Sequence, residues 1–395
     1  MRIIKQIILY LFITLFVMAC SDSGVSPLIN QRGQLISTNF LFEYSQEQLN
    51  NLATSYKFDI KAVSSVKAYE IIYYTETSSK SLIKASGLLL VPQIQEAKNI
   101  VSVQHITAFQ KNEGVMSKLI ILSNQGLMPT YFGNIVMMAD YIGYGASEEY
   151  FHPYHSYRNT VNACIDMIFA SKQALSNMDV AYNDSLSLMG YSEGAYASVA
   201  TQKEIEQKYS DKLTLKSIIA GDGAYDLSQI ADIYFNSDTL SEPTYIPLLI
   251  NSYLNESNDQ RKIESFFKPE LKESILKIVS GQFPKENFIG KLPNHPNDLL
   301  DSLFLYNFIN RNERENNFRN YLINNSLINF NTKTPMLLFQ GKYDKVVPIL
   351  IAEAAYNFYS KNNTNVVLKV DESDISHDAY FFKYIDEAIK YFKYH

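Results

Sequence analysis

The chain has 395 residues, 46% of them hydrophobic and 19% charged, and a formal charge of −6. This balance excludes wholesale disorder, and an acidic chain without a basic stripe excludes nucleic acid as a partner. The length suffices for one elaborated domain with a large core.

The N-terminus reads as a targeting segment. Met1-Arg2-Ile3-Ile4-Lys5 is a short basic stretch, and the apolar run from Ile7 to Ala19 is too short for a comfortable membrane span. It ends Val17-Met18-Ala19-Cys20, which resembles a bacterial lipobox. That resemblance implies cleavage before Cys20, lipidation of its thiol, and a membrane-anchored protein in the bacterial cell envelope facing outside the cytoplasm. Residues 1–19 are then a lipoprotein signal peptide, and residues 20–60 a polar tether and irregular lead-in. Loss of Arg2 and Lys5 takes the charge from −6 to −8. With Cys20 acylated, Cys164 is left without a disulfide partner, so stability rests on packing.

Residues 66–74 alternate as a strand, and residues 82–92 form its antiparallel partner. Parallel strands are predicted at 99–104, 134–139, 185–190, 216–221, 335–340 and 365–370. Helices are predicted at 157–175, 194–208, 349–361 and 378–393. Residues 231–333 break this alternation. Leu271–Val279 and Asp298–Phe304 have helical periodicity inside a stretch rich in Asn, Tyr, Phe and charge. The prediction is an α/β protein: a mostly parallel central sheet, helices on both faces, and a helical cap inserted over the active site. The core then occupies 61–230 and 334–395, with the cap between.

Within this frame Gly190-Tyr191-Ser192-Glu193-Gly194 reads G-x-S-x-G between a strand and a small-residue helix. A serine at such a turn is held in a strained backbone conformation, and its hydroxyl projects above a helix N-terminus that favours negative charge. A serine hydroxyl needs a base, and the base needs an orienting acid. Asp344 follows the strand 335–340, ahead of Val346-Val347-Pro348, and His377 follows the strand 365–370. All three side chains fall after strands, where an open α/β sheet collects its site residues. Asp222 and Asp226 are rival acids after the strand 216–221. Asp344 is preferred because Val-Val-Pro fits the later site. Of the other histidines, His105, His152 and His155 are expected to shape loops, with His105 a candidate for the pocket wall. No pair of histidines or cysteines has metal-ligand spacing, so neither metal nor cofactor is expected.

These segments resemble the α/β-hydrolase family over most of the chain after the first sixty residues. Ala139–Ser147 with His152-Pro153-Tyr154, and Gly223-Ala224-Tyr225-Asp226-Leu227, resemble bacterial secreted lipase/esterase-type (secretory lipase-like) serine hydrolases. The resemblance implies a carboxylic ester hydrolase with Ser192 as nucleophile, His377 as base, Asp344 as acid, and an acyl-enzyme intermediate. Its oxyanion hole would use the N–H groups of Glu193 and of Thr107, in the loop His105-Ile106-Thr107-Ala108. The family commonly has His-Gly there, and Ile106 departs from it. The partner is then a small-molecule ester, with the membrane engaged through the lipid anchor. Two alternatives stay open: a prolyl-oligopeptidase-like peptidase on the same residues, and a ligand-binding lipoprotein without catalysis, which Ile106 keeps in play. Acyl and alcohol specificity and oligomeric state are not determined at this level.

Overall fold

A computed structural model describes residues 31–114 and 125–394. The expected signal peptide and lipidation site, Cys20, lie outside the described residues, and among those described no helix is long and apolar enough to cross a membrane. Residues from Arg32 onward pack as one unit around a nine-stranded sheet.

The lead-in is more ordered than its sequence suggests. β1 (Leu35–Tyr44) pairs antiparallel with β2 (Val66–Glu76), and α1 (Gln46–Ser55) lies between them, capped by Ser45. This corrects the expectation of an irregular 20–60 segment. β1 is an edge strand whose residues are all partly or fully exposed, so no apolar alternation marks it. Backbone pairing with β2 holds it in place instead.

β2 pairs antiparallel with β3 (Leu82–Pro92), and β3 pairs antiparallel with β5 (Ile135–Ala139). The remaining strands run parallel: β4 (Ile100–Gln104), β5 (Ile135–Ala139), β6 (Ser185–Tyr191), β7 (Thr214–Gly221), β8 (Met336–Gly341) and β9 (Val366–Asp371). The spatial order is β1-β2-β3-β5-β4-β6-β7-β8-β9. From β4 the chain goes to β5 on one side and then to β6 on the other. The ends of β4 and β6 therefore border a topological switch point, where open α/β sheets bind ligands.

Successive strand residues feed two separate cores, as a period of two requires. Leu89, Val91, Ile135 and Met137 join one face, and Leu88, Leu90, Val136 and Met138 the other. The first face packs against α2 (Tyr157–Asn177) and α3 (Glu193–Glu204). α3 is built of small residues, which lets it approach the sheet closely, and it runs into a π-turn at Ile205–Tyr209. α1 and the C-terminal helix pack on the opposite face.

The expected cap is present but begins earlier than residue 231. α4 (Leu227–Phe235) starts where the Asp226 carboxylate accepts the Gln229 N–H at 3.0 Å. That N-cap, rather than a change in composition, sets the boundary. α5 (Tyr245–Glu256), α6 (Lys272–Val279), α7 (Pro296–Leu299), α8 (Ser302–Ile309) and α9 (Asn316–Asn325) follow. At the centre of the cap Phe235 packs edge to face on Phe304 and Phe308, and Phe318 packs tilted against both. Arg261 clamps it by pairing with Asp259 and Glu315 while covering the Phe266 ring. α10 (Ile349–Tyr359) and α11 (His377–Tyr394) complete the chain.

Glu256, at the end of α5, ties the cap to the start of α2. It accepts hydrogen bonds from Ser156 Oγ at 2.9 Å and Asn159 Nδ2 at 2.8 Å. Burial without a cation raises its pKa from 4.5 to about 7. The folded state thus holds a proton that the unfolded chain releases earlier. This stabilising contribution is fully present below pH 4.5 and is lost as pH rises through about 7. Glu256→Gln, whose amide oxygen accepts from Asn159 and whose amide N–H donates to Ser156 Oγ, should gain up to ~3 kcal/mol over the parent at pH 8 and nothing at pH 4. Urea unfolding at the two pH values reads this difference.

Candidate active site

Ser192 directly follows β6 and precedes α3, with φ 57° and ψ −117°. A non-glycine residue is costly there, and it persists because its neighbours fix it. The Ser192 N–H donates to Gly221 O at 2.8 Å, and its carbonyl accepts from Ala195 and Tyr196 N–H. The glycines on either side are required by close approach. A Cβ on Gly190 would lie 2.2 Å from Gly194 O, and one on Gly194 would lie 2.1 Å from Gln104 O.

Asp344 sits in the turn after β8. Its Oδ1 accepts the Val346 and Val347 N–H groups at 2.8 and 3.0 Å, so one carboxylate oxygen is fixed by the backbone. Its Oδ2 faces His377 Nδ1 at 2.5 Å. His377 is the first residue of α11, and its carbonyl accepts from Tyr191 OH at 2.6 Å, which holds the helix start against β6. Its Nε2 lies 2.9 Å from Ser192 Oγ. The structure therefore joins the three sequence-predicted residues in one chain: hydroxyl, imidazole, carboxylate. Such a chain lets a hydroxyl shed its proton onto an imidazole as it attacks a carbonyl carbon. The rival Asp226 is spent as the N-cap of α4. Among the described residues no group of three His, Cys, Asp or Glu side chains is placed to hold a metal ion.

Glu193 directly follows Ser192, and Thr107 lies in the loop after the neighbouring strand β4. Glu193 opens α3, where first-turn N–H groups have no intrahelical acceptor. The loop carrying Thr107 leaves β4 beside β6, and Gln104 aligns with Gly190 in the sheet. Ile106 is not among the residues with left-handed φ, so replacing the family's glycine there introduces no backbone strain. Thr107 Oγ1 reaches Tyr154 OH at 3.5 Å, and Tyr154 lines the same cavity as Ser192.

The histidines divide differently from the expectation. His105 is buried beneath Tyr141, 4.0 Å between ring centroids, and burial lowers its pKa. The cavity wall carries His155 instead. Burial pushes the His155 pKa down to about 4, so it lines the cavity as a neutral ring at neutral pH.

His152 and Glu193 were not expected to meet. His152 Nε2 lies 2.8 Å from Glu193 Oε1, with Glu193 buried and His152 partly so, at the residue after the nucleophile. Burial alone would raise the Glu193 pKa, but His152, with His155 and His105, outweighs burial and holds it below the usual range. The side chain of the residue after Ser192 is therefore anchored inward. The His-Pro-Tyr segment was the available signal, but the pairing spans 41 residues.

A narrow cavity of about 60 Å³ opens at Ser192. It is walled by Ile230, Ala231 and Phe235 of α4, by Ile246 and Ile250 of α5, and by Phe318 of α9. The cap thus builds the cavity. A second, polar recess carries His377, Glu242, Lys285 and Asp378, and Val346 borders both.

This sheet order, with a strained serine after the central strand and a cap over it, defines an α/β-hydrolase. The model of the secretory lipase family matches residues 127–392, and the chain belongs to that family. It is a hydrolase of the lipase/esterase type. Its fold is similar to that of a hydrolase from Legionella pneumophila, at 23% identity and TM-score 0.82 over 91% of this chain and 98% of the other. It is also similar to LipA from Xanthomonas oryzae, a rice cell wall degrading esterase, at 22% identity and TM-score 0.79 over 91% and 96% of the two chains. The closed state of Candida antarctica lipase A is more distant, at 12% identity and TM-score 0.60 over 91% and 83%. No curated protein sequence matches this chain.

Proposed function

We propose that the protein cleaves carboxylic esters through a covalent acyl-enzyme on Ser192. The observation that carries this reading is the unbroken hydrogen-bond chain from Ser192 Oγ through His377 to Asp344. Ser192 Oγ attacks the ester carbonyl carbon while His377 Nε2 takes its proton. The N–H groups of Glu193 and Thr107 hold the oxyanion. Collapse breaks the C–O bond, and the leaving alkoxide takes the proton from His377. Water, deprotonated by the same imidazole, then releases the acid and restores the hydroxyl. We place the mature enzyme outside the cytoplasm, anchored through a lipidated Cys20.

The substrate reading follows from the cavities. Ser192 faces an apolar cavity, which suits the acyl chain. His377, which protonates the leaving group, faces the polar recess, which suits the alcohol. A cavity of this measure holds one water-sized group per ~10–15 Å³, so about 60 Å³ admits a short chain of roughly four to six carbons. The catalytic efficiency toward p-nitrophenyl esters should peak in that range and fall for long-chain esters. A flat or rising profile to long chains would show that the acyl group binds elsewhere.

Ala231→Phe should shorten that optimum. The ring would fill the wall of α4 and exclude about three methylenes, each worth ~0.8 kcal/mol. Hexanoate hydrolysis should fall on the order of 50-fold relative to acetate. Unchanged chain-length selectivity in this variant would remove Ala231 from the acyl site.

A further inference from the structure

β7 ends on Gly221, and the next residue, Asp222, is fully buried with φ 45°. Its backbone N–H donates to Phe339 O at 3.0 Å, and its Oδ1 accepts from Gly341 N–H at 2.8 Å. Both bonds turn the side chain across the end of β8, toward the turn that carries Asp344. The second oxygen, Oδ2, is buried without a donor among the described residues. Its principal charged neighbour is the Asp344 carboxylate, in the turn just after Gly341.

Asp344 has no proton to offer Asp222. Its oxygens already accept two backbone N–H groups and the His377 ring. The titratable groups facing Asp222 are Asp344 from the β8 turn, Tyr191 from β6, Tyr225 beyond β7 and Tyr380 from α11, with His377 on the far side of Asp344. None of those facing it directly is a cation. Two neighbouring buried carboxylates with no cation facing Asp222 are not both ionised, so one proton belongs to the pair. Burial first, and the Asp344 charge second, raise the Asp222 pKa far above the ordinary carboxyl value.

We propose that Asp222 is a positioning residue that stays protonated and donates a hydrogen bond to the Asp344 carboxylate. This rests on the reading of Ser192, His377 and Asp344 given above. The donated bond stabilises the ionised form of Asp344 and draws off part of its charge. Asp344 then attracts the imidazolium less strongly, and His377 is available as a base at lower pH. Asp222 moves no proton in the reaction. It sets the basicity of the pair that does.

Two variants separate the possibilities. Asp222→Asn keeps a neutral N–H donor toward Asp344, while Asp222→Leu keeps the bulk and removes the donor. The measurement is the pH dependence of kcat/KM for p-nitrophenyl butyrate with the full chain. The acid limb of D222N should stay with the parent, and that of D222L should move up by about half a pH unit. If D222N moves the limb down by about a unit or more, a negative charge has been removed, Asp222 is ionised, and the proposal fails. If D222L leaves the limb in place, Asp222 is only structural and the proposal fails. Should D222L not fold, D222A reads the same limb.

Infrared spectroscopy supplies a readout that needs no turnover. At pH 8 the parent should show the C=O stretch of a protonated carboxylic acid that D222N lacks, and its absence overturns the proposal. A parent that hydrolyses no ester and takes no fluorophosphonate would defeat the ester-hydrolase reading instead, while the infrared band would still report on Asp222.

Discussion

Ser192→Ala is expected to lower ester hydrolysis on the order of 10⁴- to 10⁶-fold and to abolish covalent labelling by a fluorophosphonate. The size of the effect follows from the site's geometry. Ser192 Oγ is the hydroxyl bonded to His377 Nε2, at 2.9 Å. With alanine there, His377 and Asp344 have no nucleophile to activate, and only substrate binding and oxyanion stabilisation remain. The fold should survive. The turn is held by backbone bonds from Ser192 to Gly221, Ala195 and Tyr196, which alanine can make. Matching far-ultraviolet circular dichroism, together with loss of both label and turnover, would establish the role. Persistent hydrolysis in the variant would place the nucleophile elsewhere and end the acyl-enzyme reading.

Asp344→Asn should cost about 10⁴-fold in kcat, with little change in KM. The backbone decides how the new amide sits. Val346 and Val347 N–H both point at the position of Oδ1, so that atom must stay an acceptor. The amide nitrogen is forced to the position of Oδ2, facing His377 Nδ1. A donor there demands an unprotonated Nδ1, which puts the ring proton on Nε2. That nitrogen can no longer accept the Ser192 proton. Fluorophosphonate labelling should slow in parallel, because it uses the same activated hydroxyl. Activity within tenfold of the parent would mean that another carboxyl orients His377, and Asp222 would be the first to test.

Much of this architecture is legible in the linear chain. Alternating apolar strands, the G-x-S-x-G turn, and Asp344 and His377 just past strand ends are local features, written in neighbouring residues. The Secretory lipase match over residues 127–392 agrees with the resemblance drawn from those segments. β1 escaped notice because an edge strand with no fully buried residue needs no alternation. The start of α4 escaped because one capping carboxylate, Asp226, moved it ahead of the compositional boundary. Ile106 departs from the family's glycine, yet its backbone stays out of the left-handed region.

By itself, then, the sequence specified which elements form and which side chains stand at their ends. Backbone preference and burial pattern are short-range properties, readable within a few residues. The contacts that tune the site were settled only by folding. Glu193 meets His152, Asp222 is brought to the turn that carries Asp344, and Ser192 opens under Ile230, Ile250 and Phe318 of the cap. Each joins segments far apart in the chain, and none leaves a periodic trace. Which buried polar group finds a partner, and which carboxyl must keep its proton, depends on what the sheet and cap bring within hydrogen-bonding distance.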